Sequence, residues 1–335
     1  MIAGHQETLE QLQADASRGR LAHGLLITGA RGIGKATLAR QLACSLLAMG
    51  ADEEGAARRM EAGAHADFLV VQQEIDPKKD ELKQEISVEQ ARKVAQFLAM
   101  TPGESSRRVV IIDSIDNLNV NAANAILKIL EEPPPQAILM LVSHTPGRLL
   151  PTIRSRCRSV KLSPLSREDY HEVMRSKAPE LDINQRESLG LLCDYAPGVA
   201  LELASRQALE MYASLLGLLR ELPRMNPAAV SQFADKIAAG SVHQNWAQFS
   251  QLALVMLSKL CKSASHISQP EIISGEEGML HAIAQLHPAS VWAAKWQQSQ
   301  EQFALVAARH LDAKQAAISW LHGISDPDMK WLVAS

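Results

Sequence analysis

The hydrophobic pattern of the chain changes character near residue 165. Before that point, short continuous apolar runs at 24–28, 68–72, 109–113, 138–143 and 159–162 alternate with stretches of helical period at about 35–48, 87–99 and 119–131. Runs that are apolar throughout suit strands buried on both faces. Their alternation with helices predicts a parallel, doubly wound sheet, and ligands of such sheets bind at the carboxyl ends of the strands. Beyond 165 the strand signal stops. Residues 166–205 read as a compact set of short helices with turns at Pro179 and Pro197-Gly198. From 206 the helical pattern runs to 335, interrupted at Pro223, Pro227, Gly240, Pro270, Pro288 and Pro327. The pattern predicts three parts: an α/β domain over 1–165, a small helical lid over 166–205 and an all-α domain over 206–335.

Smaller features refine this layout. The segment 76–85, Asp-Pro-Lys-Lys-Asp-Glu-Leu-Lys-Gln-Glu, reads as a solvated loop; Lys78, Lys79 and Lys83 offer a DNA contact as the alternative. Ser87 and Gln90 have the spacing of a capping box. Trp292 and Trp296 lie one helical turn apart, which suits core or interface packing better than base stacking.

Composition narrows the class. The chain is 47% hydrophobic and 21% charged, with a formal net charge of −3, so no global basic field points to nucleic acid. Arg107-Arg108, read as solvated charges flanking a strand, and the basic residues from Arg154 to Arg158 are the local exceptions. They are the sole support for a DNA-binding adaptor. Cys44, Cys157, Cys193 and Cys261 are far apart in sequence, without metal spacing or a disulfide framework. No apolar stretch reaches the ~20 residues that span a membrane, and the N-terminus lacks the layout of a signal peptide. A cytoplasmic, reducing location is expected, with no membrane partner.

The chemistry concentrates at the strand ends. Gly29-Ala30-Arg31-Gly32-Ile33-Gly34-Lys35 follows the first apolar run and has the form of a phosphate-cradling loop, G-x-x-x-x-G-K. Its glycines turn backbone N–H groups toward an anion, the lysine reaches the outer phosphates, and a helix start adds its dipole. The hydroxyl that should follow the lysine and hold Mg²⁺ is missing: Ala36 stands there and Thr37 comes one place late. The run 109–113 ends in Asp113, the usual way to present a carboxylate to Mg²⁺. Ser114 follows, and a serine has no basicity near neutral pH with which to activate water. Asp116, where the chain leaves the strand, is a poor substitute.

A third segment, Asn121-Ala-Ala-Asn-Ala-Ile-Leu-Lys-Ile-Leu-Glu-Glu-Pro-Pro-Pro135, is a helix stopped by prolines. It resembles the corresponding helix in the clamp-loader subunits of the AAA+ ATPases. That family also carries Ser-Arg-Cys on a helix edge facing the neighbouring subunit, and this chain has Ser155-Arg156-Cys157. The resemblance covers about the first 200 residues. It implies an AAA+ P-loop domain with a helical lid and a C-terminal collar domain that assembles a ring of five. It also implies that Arg156 acts as an arginine finger on ATP held by a neighbour, since a planar, permanently charged guanidinium stabilises charge developing on a terminal phosphate.

Three departures point to a non-hydrolysing member of that family: Ala36, Ser114, and Gly198 at the place of a phosphate-sensing arginine in the lid. After the fourth strand, Ser143-His144-Thr145 offers one hydroxyl at most as a sensor. The expected partners are gamma/tau-type motor subunits and a delta-type wrench in a hetero-pentameric ring, with the sliding clamp and primer-template DNA reached through the complex. Gly29, Gly32, Gly34, Lys35, Thr37 and Asp113 form a weak site for ATP or ADP, which the role does not require. The alternative is an active motor ATPase. Many relatives carry a four-cysteine zinc module between the first helix and the second strand. Here that segment has only Cys44 and His65, too few ligands for a closed site. No zinc or other metal is expected, and 52–63 should form a short helix.

Overall fold

A computed structural model describes residues 3–48, 52–76, 81–83, 85–324 and 326. In chain order its elements begin α1 (Gln6–Ser17), β1 (Gly24–Thr28), α2 (Lys35–Ala48), α3 (Glu53–Glu61), β2 (Phe68–Gln72), β3 (Ile75–Asp76), β4 (Glu81–Leu82) and α4 (Val88–Ala99). There follow β5 (Arg108–Asp113), α5 (Val120–Glu131), β6 (Ala137–Ser143), α6 (Pro151–Arg156), β7 (Arg158–Lys161), α7 (Arg167–Lys177), α8 (Ile183–Leu192) and α9 (Pro197–Ser205). The remaining elements are α10 (Ala208–Arg220), α11 (Pro227–Ala238), α12 (Val242–Ala264), α13 (Glu276–Ala284), α14 (Ala289–Arg309) and α15 (Ala313–Gly323). The residues group into two compact units. One comprises Met1–Val173 with Ala196–Gly198, the other Met174–Tyr195 with Val199–Ser335.

The first unit is built on a five-stranded sheet in the order β2-β5-β6-β1-β7, parallel throughout. This is the α/β P-loop architecture the apolar runs predict. Every residue of β1 and β6 is buried, as befits central strands covered on both sides. Val94 and Leu98 of α4, and Ile126 and Leu130 of α5, pack in one core with Val110, Ile112, Leu139 and Leu141 of the sheet. On α2, Leu38, Leu42 and Leu46 repeat every four residues and are all buried, giving that helix its apolar stripe. The capping box at Ser87 and Gln90 is present. The register aligns Thr28 with Ser143, and Asp113 with Val142, so the ends of β1, β5 and β6 share one edge of the sheet.

Two expectations need correction. The segment 76–85 is not simply a solvated loop, since Ile75–Asp76 pairs antiparallel with Glu81–Leu82. Lys83, one of the three lysines offered there for DNA, forms an ion pair with Glu74 at 2.9 Å; Lys78 and Lys79 lie outside the described residues. Arg108 is not a solvated flanking charge. It is 7% exposed, with its guanidinium 4.6 Å from the centre of the Phe97 ring and donating to the carbonyls of Phe97 and Thr101. Its Nε lies 3.5 Å from the fully buried Asp67. Asp67 accepts the backbone N–H groups of Gly103, Glu104 and Ser105. Burial pushes the Asp67 carboxyl up, but those three amides and the Ser105 hydroxyl outweigh it and hold its pKa below the usual value.

The second unit is helical. Trp246, Phe249, Phe303 and Trp320 form an aromatic cluster with ring centres 5.4 to 5.9 Å apart. Trp292 is fully buried and donates to the Ala284 carbonyl at 3.1 Å, whereas Trp296 is half-buried. A buried polar knot ties α12 to α13: Glu276 accepts from Tyr212, from Lys259 at 3.0 Å and from the Ile272 amide at 2.5 Å. Among the described residues no helix is long and apolar enough to cross a membrane.

Candidate functional site

The phosphate loop leaves β1 and enters α2 as the motif requires. Gly29, Gly32 and Gly34 all have positive φ, at 146°, 79° and 102°. At Gly29 a side chain is also excluded by space, because a Cβ there would come within 2.7 Å of the Leu162 carbonyl oxygen. The loop has the shape of an anion cradle, and its lysine and several of its carbonyls are bonded from within the chain. Lys35 is 3% exposed, and its Nζ donates to the carbonyls of Gly29 at 2.8 Å and Ala30 at 2.5 Å. Burial lowers its pKa to about 8, against the opposing pull of Asp113 and Asp116. The His5 ring approaches the Ile33 carbonyl at 2.8 Å. Gly198, at the start of α9, donates its N–H to the Gly32 carbonyl at 2.8 Å. Its Cα is so close that an added Cβ would lie 2.9 Å from the Gly32 Cα. The position that would hold a phosphate-sensing arginine is therefore seated on the loop itself.

Just beyond the acidic strand end, Asp116 is held by its neighbours. Ser114 donates to Asp116 at 2.9 Å. Asp116 also accepts the hydroxyls of Ser143 at 2.8 Å and Thr145 at 3.1 Å, and the amide of His144 at 2.5 Å. Burial pushes the Asp116 carboxyl up, but these donors outweigh it and hold its pKa down. Asp116, dismissed from sequence as a substitute base, is instead the clasp between the ends of β5 and β6. The segment read for a sensor hydroxyl thus has both its hydroxyls, Ser143 and Thr145, donating to Asp116. His144 has a lowered pKa, first from burial and then from the nearby Lys35 cation.

Hydrolysis of a Mg²⁺-bound nucleotide needs a lysine on the phosphates, a hydroxyl beside it for the metal, and a base next to the acidic strand end. Asp113 is in place and half-buried. Lys35 is engaged, Ala36 has no hydroxyl, and Thr37 is exposed about 100° further round the helix. These residues do not fit a hydrolytic site. Between α2 and β2, Cys44 donates to the Glu53 carbonyl at 3.5 Å, while His65 is buried and accepts the Asp67 amide at 3.1 Å. Among the described residues no three His, Cys, Asp or Glu side chains are grouped to hold a metal.

Arg156 is separate from this cluster. It is the last residue of α6, with 34% of its side chain exposed. Its Nη2 lies 2.7 Å from Oε1 of Glu131, and its Nη1 donates to the Thr152 carbonyl at 3.0 Å. Next to it, burial pushes the Cys157 thiol up to about 11, so that sulfur is an inert packing group. Arg158 is tied to Asp15 at 2.6 Å. Of the basic residues that supported a DNA-binding adaptor, Arg108, Arg156 and Arg158 are all held in ion pairs.

Residues 4–166 match the family model described as DNA polymerase III, delta subunit. The chain is 42% identical over 146 residues to the DNA polymerase III subunit delta' of Pseudomonas aeruginosa, covering 42% of this chain and 43% of the relative. The chain is delta-prime-like. It is also 35% identical over 202 residues to the delta' subunit of Escherichia coli, covering 58% of each. A DNA polymerase III subunit gamma from Buchnera aphidicola is 31% identical over 204 residues, covering 59% of this chain and 54% of the relative. The delta-prime-like chain thus spans about half the length of the curated relatives it matches.

Proposed function

We propose that the delta-prime-like chain is a non-hydrolysing structural subunit of a DNA polymerase III clamp loader, and that it donates Arg156 to ATP held by a neighbouring motor subunit. Gamma/tau-type motors and a delta-type wrench complete a ring of five, which acts on the sliding clamp and primer-template DNA. ATP or ADP is not required in its own loop. The observation that carries this reading is a contrast within one unit. The chain's own phosphate loop has its lysine and its Gly32 carbonyl engaged from within. Arg156 stands part-exposed at a helix end with further N–H donors to offer.

The test is Arg156→Ala in a reconstituted loader. DNA- and clamp-stimulated ATP turnover should fall by ~10³–10⁵, the range found for arginine fingers in phosphoryl transfer, while the complex still assembles. Unchanged turnover would defeat the proposal. The identity to a gamma subunit keeps an active motor ATPase as the alternative.

A further inference from the structure

We infer that Glu131 is a positioning residue for Arg156, holding its guanidinium in the aim from which it meets a neighbour's terminal phosphate. The inference rests on the finger role proposed above and adds a second residue to it.

Glu131 and Glu132 close α5. Two carboxylates at the C-terminal end of a helix face the negative end of its dipole, an arrangement that works against the helix. Arg156 supplies the reason for one of them. Glu131 reaches Nη2 from α5 at 2.7 Å, while the Thr152 carbonyl takes Nη1 from within α6 at 3.0 Å. Two acceptors on two different elements fix both the direction and the plane of the guanidinium.

The pair is too exposed to matter much for folding, with 34% of the arginine and 48% of the glutamate side chain accessible. Its effect is on freedom. Arginine has the rotamer-rich side chain that loses most entropy when ordered, and anchoring it beforehand removes that cost from the reaction step. The guanidinium carries five N–H donors, so Glu131 can keep its hold while the remaining donors face the incoming phosphate. The carboxylate also offsets the local positive charge. Ground-state attraction for nucleotide is therefore not what it improves, and its effect belongs in kcat rather than KM.

The experiment compares Glu131→Ala, Glu131→Gln, Arg156→Ala and the Glu131→Ala/Arg156→Ala double variant in the reconstituted loader. Glu131→Ala should lower stimulated kcat on the order of tenfold, with KM for ATP within about twofold of wild type and the melting temperature of the isolated chain unchanged. Glu131→Gln keeps an acceptor oxygen at the same reach and should restore most of the rate. In the Arg156→Ala background, Glu131→Ala should cost nothing further. Three results would overturn the inference while leaving the finger intact: Arg156→Ala impaired with Glu131→Ala at the wild-type rate, a Glu131→Ala loss that persists without Arg156, or a rise in unstimulated turnover that makes the carboxylate a brake. If Arg156→Ala itself has no effect, the finger reading fails first and this one with it.

Discussion

At the scale of single residues, the phosphate loop is decided by what touches it. Gly198 is a residue whose missing side chain matters. Its N–H caps the Gly32 carbonyl at 2.8 Å, and a methyl group there would meet the Gly32 Cα at 2.9 Å. The obstacle is backbone, which cannot swing aside as the end of a flexible side chain would. Gly198→Ala should therefore destabilise the chain by about 1–3 kcal/mol, the usual cost of overpacking. A thermal melt checks this, and an unchanged midpoint would mean that the loop and the start of α9 can part without cost. Any residue with a Cβ at this position would meet the Gly32 backbone in the same way.

At the scale of elements, the edges of the five strands of the main sheet and of α2, α4 and α5 were legible to within about two residues. Long apolar runs and proline stops reflect burial and backbone chemistry, which are local properties of the sequence. What stayed hidden was pairing across distance. Arg108 looked solvated because a charge beside another arginine at a strand start usually is. Its partner Asp67 is 41 positions earlier, and nothing local marks the two as a pair. The clasp made by Asp116 stayed hidden for the same reason, since its donors Ser143, His144 and Thr145 come from the end of another strand. For the candidate site, the loop's strand-to-helix geometry was readable as a motif, whereas the contacts of Lys35 with its own loop were not. The Asp67 cluster gives a sharp test. Asp67→Ala leaves the Arg108 guanidinium and three backbone amides without their acceptor and should cost about 3–5 kcal/mol at neutral pH. The native pKa of Asp67 is lowered, so its contribution is complete above the unfolded carboxylate value near pH 4 and is lost as pH falls through the native one. Urea melts across a pH series should show the gap between wild type and Asp67→Ala narrowing in acid. A gap that stays constant would mean that the carboxylate charge is not what the amides hold.

At the scale of the whole molecule, the α/β unit keeps two features that the proposed function treats differently. One is the loop around Lys35, whose Nζ donates to two carbonyls of that loop. The other is Arg156, held at a helix end by Glu131. A subunit that worked on its own ATP would need Lys35 to exchange its two loop-carbonyl contacts for phosphate contacts. It would still lack a hydroxyl at Ala36 and a base at Ser114. A subunit that worked on a neighbour's ATP needs none of this. The two accounts separate on one substitution. Lys35→Ala in the assembled loader removes the residue on which the chain's own catalysis would depend, and P-loop chemistry loses orders of magnitude without its lysine-centred charge stabilisation. On the present reading, stimulated turnover should stay within about twofold of wild type, because the loop takes no part in any transition state. Steady-state phosphate release from the reconstituted complex measures it. A loss comparable to that from Arg156→Ala would show that the loop opens in the ring and would return the chain to the motor subunits it resembles at 31% identity.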